Sequence, residues 1–373
     1  MPSDQLDERQ RRDWLRLMKS EHVGPVTFRR LIARYGEAAA ALAALPELSR
    51  RGGLVRPIRL YPTEAAEADL EAAGDLGARF IALGEPDYPP LLRQTDSAPA
   101  LICVKGDAAM LQNPMVAVVG ARNASAAGRR LARDFASALG RTGLTVISGL
   151  ARGIDAAAHE AALETGTIAV LAGGVDVIYP PENKELQHAI AGRGCLVSEM
   201  TPGTLPRAEH FPRRNRLISG MSLGTLVVEA ALRSGSLITA RMALEQNREV
   251  FAIPGSPLDP RAEGANRLIK QGATLVTSPS DVTEAITGLV ERAIRFDPDL
   301  DGLADPEGEA DFEAAGSDHR DRLWALLGPA PVELDDLIRE SGLPARIVNA
   351  VVLELEMAGR LERHPGQRVA KLP

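Results

Sequence analysis

Aromatic residues make up only 3% of this 373-residue chain, and it has just two cysteines. Scarce aromatics beside plentiful glycine and alanine suit an α/β protein in which helices pack closely on strands. Cys103 and Cys195 each sit inside a short apolar run, which predicts reduced core residues and excludes a disulfide-stapled scaffold. The six histidines show no metal-ligand spacing with them, so no metal is expected. No stretch approaches the ~18 apolar residues of a membrane span. The opening MPSDQLDERQRRDW is polar and predicts no signal peptide. No G-x-x-x-x-G-K-[ST] occurs, and Gly120 to Gly128 lacks the G-x-G-x-x-G spacing. Neither a P-loop nor a dinucleotide fingerprint is present, so no nucleotide cofactor is expected.

The net charge is −7, which at first argues against a polyanionic partner. Its distribution argues the other way. Met115 to Leu275 holds 18 Arg and Lys against 14 Asp and Glu, a local +4 that leaves −11 for the remainder.

In chain order, residues 1–75 predict a small helical module. A helix over 9–19, the turn His22-Val23-Gly24-Pro25 and a second helix from Val26 suggest a helix-hairpin-helix or SAM-like fold. Such a module either contacts DNA phosphates through backbone N–H groups or packs against neighbours, and packing is the expected role. Residues 76–295 alternate strands and helices, which predicts an extended Rossmann-like sheet domain, parallel in its strands. Residues 296–318 are rich in carboxylates, with nine acidic and no basic side chains from Asp297 to Asp318, and predict a solvated linker. Residues 319–373 read as three helices and a hairpin, a winged-helix domain. Its third helix offers mainly Val, Leu, Glu354 and Glu356, with only Arg346 and Asn349 suited to a DNA groove. A contact with protein is therefore the expected role of that domain.

Loops leaving the C-terminal ends of parallel strands lie along one edge, where ligands bind. Several loops on that edge carry anion-binding chemistry. Gly120 and Arg122 follow one strand; Ser148, Gly149 and Arg152 follow another. Gly173-Gly174 follows a third, Ser234, Gly235 and Ser236 precede a helix that includes Thr239, and Gly255 sits in a Pro-Gly-Ser turn. Glycines permit close backbone approach, hydroxyls donate, and arginines offer fixed cationic forks. A basic cluster, Arg213, Arg214, Asn215 and Arg216, stands beside Phe211, a candidate stacking platform whose alternative is a core position. Asp155 and His159, four apart, form either a loop-orienting pair or a local polar contact. Together these residues predict an extended groove for a phosphate backbone.

The motifs GARNAS, SGLARGIDAAAH, VIYPPEN, SEMTPG, FPRRNRLISG, VVEAALRSGSLITARMA and IPGSPLDPRAEGANRLIKQGA resemble those of the DNA-processing protein A family, also called Smf. The resemblance spans the whole Rossmann-like region, and the flanking modules fit it. It implies a cytoplasmic bacterial protein that binds single-stranded DNA without sequence preference. It further implies a homodimer that loads the RecA recombinase on incoming DNA during natural transformation. Where the family usually has Gly-Ser-Arg after the first strand, this chain has Ala121, so one hydroxyl is missing while Arg122 remains. The competing reading is an enzyme. Phosphoribohydrolases acting on nucleoside monophosphates share the fold and use P-G-G-x-G-T-x-x-E. Here Ser219 to Thr225 lacks the diglycine, and Glu229 falls one residue late. No catalytic residue is assigned.

Overall fold

The computed structural model describes residues 5–294, 316–364 and 366–372. The chain divides into two compact units, one formed by Ala68–Pro298 with the first six residues, the other by Asp7–Glu67 with Asp299–Pro373. The expected linker lies almost wholly outside the described residues.

Four helices come first: α1 (Glu8–Lys19), α2 (Pro25–Tyr35), α3 (Ala38–Arg51) and α4 (Thr63–Asp75). The antiparallel strands β1 (Ala78–Ala82) and β2 (Leu101–Gly106) follow, with the short helix α5 (Pro90–Arg93) between them. Then come β3 (Met115–Val119), α6 (Ala126–Arg141), β4 (Thr145–Ser148), α7 (Ile154–Ala162) and β5 (Thr167–Leu171). After these stand α8 (Lys184–Arg193), β6 (Cys195–Ser198), α9 (His210–Met221), β7 (Gly224–Val227) and α10 (Gly235–Glu245). The unit closes with β8 (Glu249–Ala252), α11 (Glu263–Lys270), β9 (Thr274–Leu275) and α12 (Pro279–Ile294).

These strands make one nine-stranded sheet in the order β1-β2-β6-β5-β4-β3-β7-β8-β9. The seven from β6 to β9 are parallel, and β2 pairs antiparallel with β6. The expectation of a parallel sheet holds for the seven; β2 runs the other way, antiparallel to both β1 and β6, because α5 and a Pro-rich turn join β1 to β2 without a crossover. Strands β3, β4, β5 and β6 are buried at every position, as helices on both faces require. Val116, Val118, Phe135, Leu139, Val146, Ile154, Leu226 and Phe251 belong to one core cluster. On one side of β3 the sequence runs β4, β5, β6; on the other it runs β7, β8, β9. The strand order therefore reverses between β3 and β7, the point where such sheets open a crevice.

The other unit joins the chain's ends. Helix α1 starts at a capping box in which Asp7 accepts from the Gln10 amide and the Gln10 side chain answers to the Asp7 amide. Trp14 and Phe28 meet edge to face at 5.0 Å between α1 and α2. The C-terminal part comprises α13 (Ser317–Leu326), β10 (Val332–Glu333), α14 (Leu334–Ser341), α15 (Ala345–Met357), β11 (Leu361–His364) and β12 (Arg368–Lys371). Its sheet has the order β10-β12-β11, which is the winged-helix arrangement. Leu323, Leu337, Val348, Val351, Leu355 and Val369 form its core.

Candidate nucleic-acid interface

The crevice between β3 and β7 is already filled. Glu229, just past β7, accepts from the Ser125 amide at 2.9 Å and the Ser125 hydroxyl at 2.5 Å. Ser125 also caps α6 by accepting from the Gly128 amide at 2.8 Å. A Cβ at Gly128 would overlap the Glu229 carboxylate, so the glycine makes room for this anion. A carboxylate thus holds the helix N-terminus that would receive a nucleotide phosphate. Gly120 is likewise closed: a Cβ there would stand 2.5 Å from Ile154.

The open space lies one step along the edge, at the ends of β3, β4 and β5. A pocket of about 200 Å³ is lined by Arg122, Gly149, Arg152, Gly173, Tyr179, Phe211 and Arg214, among others. Tyr179 and Phe211 meet with ring centroids 5.6 Å apart and planes tilted by 57°. The Arg122 guanidinium lies 5.2 Å from the Phe211 centroid, within cation–π range. Phe211 is half-buried, while Tyr179 remains 43% exposed. Arg122 and Arg152 are exposed at the mouth, and Arg152 faces Glu182 at 3.6 Å. A surface pair of this kind leaves the guanidinium available to a competing phosphate.

The arginine cluster separates by function. It lies on α9, so successive arginines point in different directions. Arg213 points outward and is exposed. Arg214 is only 6% exposed, donates to the carbonyls of Gly149 and Val170 (the latter at 2.7 Å), and reaches Asn215 Oδ1 at 3.1 Å. Burial lowers its pKa to about 10 despite the attraction of Asp155, so it stays charged at neutral pH. Arg216 pairs with Glu199 at 2.5 Å and donates to the Ser97 carbonyl. The expectation that all three arginines neutralise phosphates is therefore corrected. Arg214 and Arg216 spend their donors on the protein, and only Arg213 faces outward.

Beneath the pocket the 148–153 loop is tied from several sides. The Ser148 hydroxyl donates to the Val118 carbonyl at 2.6 Å, so it offers nothing to a ligand. Asp155 accepts from the amides of Gly149 and Ala151 at 3.2 and 3.3 Å, and Asn183 donates to the Leu150 carbonyl at 2.9 Å. Asp155 thus orients the loop, while His159 bonds instead to Thr167 Oγ1 at 2.7 Å. Burial, then the nearby Arg214 charge, pushes His159 down to about 3 and keeps it neutral. Burial pushes Asp155 up, against the Arg214 charge that pulls it down.

The remaining expected loops lie apart from this pocket. Ser234 caps α10 by accepting from Ser236, its hydroxyl meets that of Ser236 at 2.7 Å, and Thr239 is buried. Asn215 reaches the Gly235 carbonyl at 3.4 Å. The Gly255 amide is taken by Asn266 at 3.1 Å. Hydroxyls and amides that look free in sequence are capping groups here. Tyr179 was missed as a site residue; the signal was available in VIYPPEN, an aromatic in the loop between a strand and a helix. Among the described residues no cluster of side chains suits a metal, and no helix is long and apolar enough to cross a membrane.

The fold defines a class: a Rossmann-like sheet unit carried with a helix-hairpin-helix module and a winged helix. The family model for DNA recombination-mediator protein A matches residues 79–287. The DprA-like N-terminal HHH domain matches 8–72 and the DprA winged helix domain 307–367. The chain belongs to the DNA-processing protein A (DprA/Smf) family. It is 40% identical to Protein Smf of Escherichia coli over 315 residues, 82% of this chain and 81% of that protein. The X-ray structure of DNA processing protein A from Streptococcus pneumoniae superposes with TM-score 0.61 at 37% identity, covering 73% of this chain and 95% of that one. The DNA processing protein A of Helicobacter pylori superposes with TM-score 0.52 at 27% identity, covering 58% and 96%; its structure concerns a single-stranded DNA binding mode. The family is named for recombination mediation and DNA processing, and the phosphoribohydrolase reading is set aside. Of the two carboxylates that could serve such an enzyme as base, Glu229 is committed to Ser125 and Glu199 pairs with Arg216.

Proposed function

We propose that this protein binds single-stranded DNA without sequence preference at the pocket between the ends of β3, β4 and β5. The observation that carries the reading is the pairing of Tyr179 and Phe211 with Arg122 and Arg152 at the pocket mouth. An aromatic surface accepts any base by stacking, and the arginines meet the flanking phosphates. The likeness to the Helicobacter pylori protein supports the same partner. Within this reading the pocket grips one unstacked base, and Arg213 extends the cationic surface along α9. The protein acts as a homodimer in the cytoplasm and hands its strand to the RecA recombinase during transformation, as the family resemblance implies.

Fluorescence anisotropy with labelled single strands and duplexes tests the binding. Single strands bind more tightly, and the logarithm of affinity falls with that of salt by about 0.7 per phosphate neutralised. Equal affinity for duplex, or no salt dependence, overturns the proposal. Strand exchange by RecA on strands coated with single-strand binding protein tests the loading step, and light scattering tests the dimer.

A further inference from the structure

We propose that the winged helix spends the body of its third helix on the chain's own N-terminal helices, so that the terminal unit contacts no nucleic acid. The inference rests on the reading that DNA is held by the sheet unit. A winged helix reads DNA by laying its third helix in the major groove, with polar side chains toward the bases. In α15 every residue from Ala350 to Met357 is buried, Glu354 and Glu356 included. One face packs into the winged-helix core through Val348, Val351 and Leu355. Helix α3 packs along the other.

The junction is specific. A Cβ at Gly52, which ends α3, would overlap the Glu354 carbonyl of α15. Glu354 pairs with Arg320 at 3.1 Å and lies 4.0 Å from Arg51 of α3. Arg360 donates to the Gly52 carbonyl at 3.2 Å while its guanidinium lies 3.9 Å from the Trp324 centroid. A helix-hairpin-helix motif, in turn, reads phosphates with the turn between its helices. Here that turn carries His22 at φ 63°, and a Cβ at Gly359 would stand 2.6 Å from the His22 ring. The turn also carries the carboxylate of Glu21, held at about 2 by its hydrogen bond to Arg56. That carboxylate is neutralised by Arg56, and Gly24 of the turn remains exposed. The protein partner expected for the winged helix is thus the chain's own first helices.

Hydrogen exchange of the full-length protein, free and with a labelled thymine oligonucleotide, tests this. In the free protein α3 and α15 exchange together. With DNA, protection is gained at 120–153 and 171–182 and at neither 22–28 nor 345–357. Gly52→Val and Arg360→Ala speed exchange in α3 and α15 together by tenfold or more, yet leave single-strand affinity within twofold. Trp14 and Trp324, the only tryptophans, both lie in this unit, so their emission reports its opening alone. DNA protection of the hairpin turn or of α15, independent exchange of α3 and α15, or a tenfold loss of affinity in either variant overturns the proposal. Absence of protection at the sheet edge, with α3 and α15 still coupled, instead overturns the site assignment in the sheet unit.

Discussion

Arg214 is where a charge count and a structure disagree most sharply, and its replacement by methionine separates them. If Arg214 were a phosphate ligand, Arg214→Met would lower the salt slope by about 0.7 and leave stability alone. The geometry predicts the reverse. The guanidinium bonds the carbonyls of Gly149 and Val170 and the side chain of Asn215, and it is the charge facing buried Asp155. Methionine fills the volume but leaves that carboxylate without an opposing charge, held by two long backbone bonds and Ser148. Taking the charged donor from two buried carbonyls and the opposing charge from buried Asp155 costs roughly 3–5 kcal/mol. For a unit of this size each kcal/mol moves Tm by about 2–4 °C, so the sheet transition falls by roughly 6–20 °C. Single-strand affinity falls too, because the 148–153 loop loses a tether, but the salt slope is unchanged. Adding Asp155→Asn recovers part of the loss, since the unpaired charge is gone. Calorimetry and anisotropy titrations at several salt concentrations read both quantities. A variant that melts within 2 °C of the parent and has a shallower salt slope refutes the argument.

Arg122→Ala, at an exposed position, lowers the salt slope by about 0.7 and leaves Tm unchanged; a steady slope in anisotropy titrations removes Arg122 from the phosphate path. Tyr179→Ala costs about 1–3 kcal/mol of binding with the slope intact, as loss of a stacking surface should, and an unaltered Kd discards the platform. The sheet unit loses stability as pH falls from 6.5 towards 3, because unfolded His159 takes up a proton that the folded site refuses. Asp155, raised by burial, acts in the opposite sense, its stabilising share present at low pH and lost as pH rises. His159→Gln therefore flattens the acid limb in urea titrations, and an unchanged limb assigns the loss to other groups.

Alternation of apolar runs with helical periods is enough to read residues 76–295 as a sheet of strands joined by helices. The same pattern could not show that β1 and β2 run antiparallel, since a buried strand reads alike in either direction. The arginines of α9 were legible as charge and not as direction: Arg213 and Arg214 are neighbours in sequence, yet one is exposed and the other buried. Direction on a helix is fixed by the core it packs against, and only the fold supplies that. Tyr179 escaped because one aromatic in a Pro-rich loop gains meaning only from Phe211, thirty-two residues on, folding back against it. The covering of α15 was foreshadowed by its apolar and acidic residues, which suit no DNA groove, but its partner lies three hundred residues away.

Glu229 decides where a ligand can sit on this sheet, and its charge is open to test. In nucleotide-binding sheets the helix after the first strand offers its N-terminus to a phosphate. Here Glu229 takes that position, with the Ser125 amide and hydroxyl as donors and Gly128 giving it space. The fold has thereby closed its usual nucleotide crevice from within, while a pocket stays open at the ends of β3, β4 and β5. Glu229→Gln keeps an acceptor for one bond but removes the negative charge from the start of α6. That interaction is worth roughly 0.3–1 kcal/mol, rising to about 2 where partly buried, so the sheet transition drops by a few degrees. Single-strand affinity stays within twofold, because the pocket does not include this side chain. Neither parent nor variant releases free base from a nucleoside monophosphate. Base release by the parent that E229Q abolishes would make Glu229 a catalytic base after all, and would return the crevice between β3 and β7 to the role of an active site.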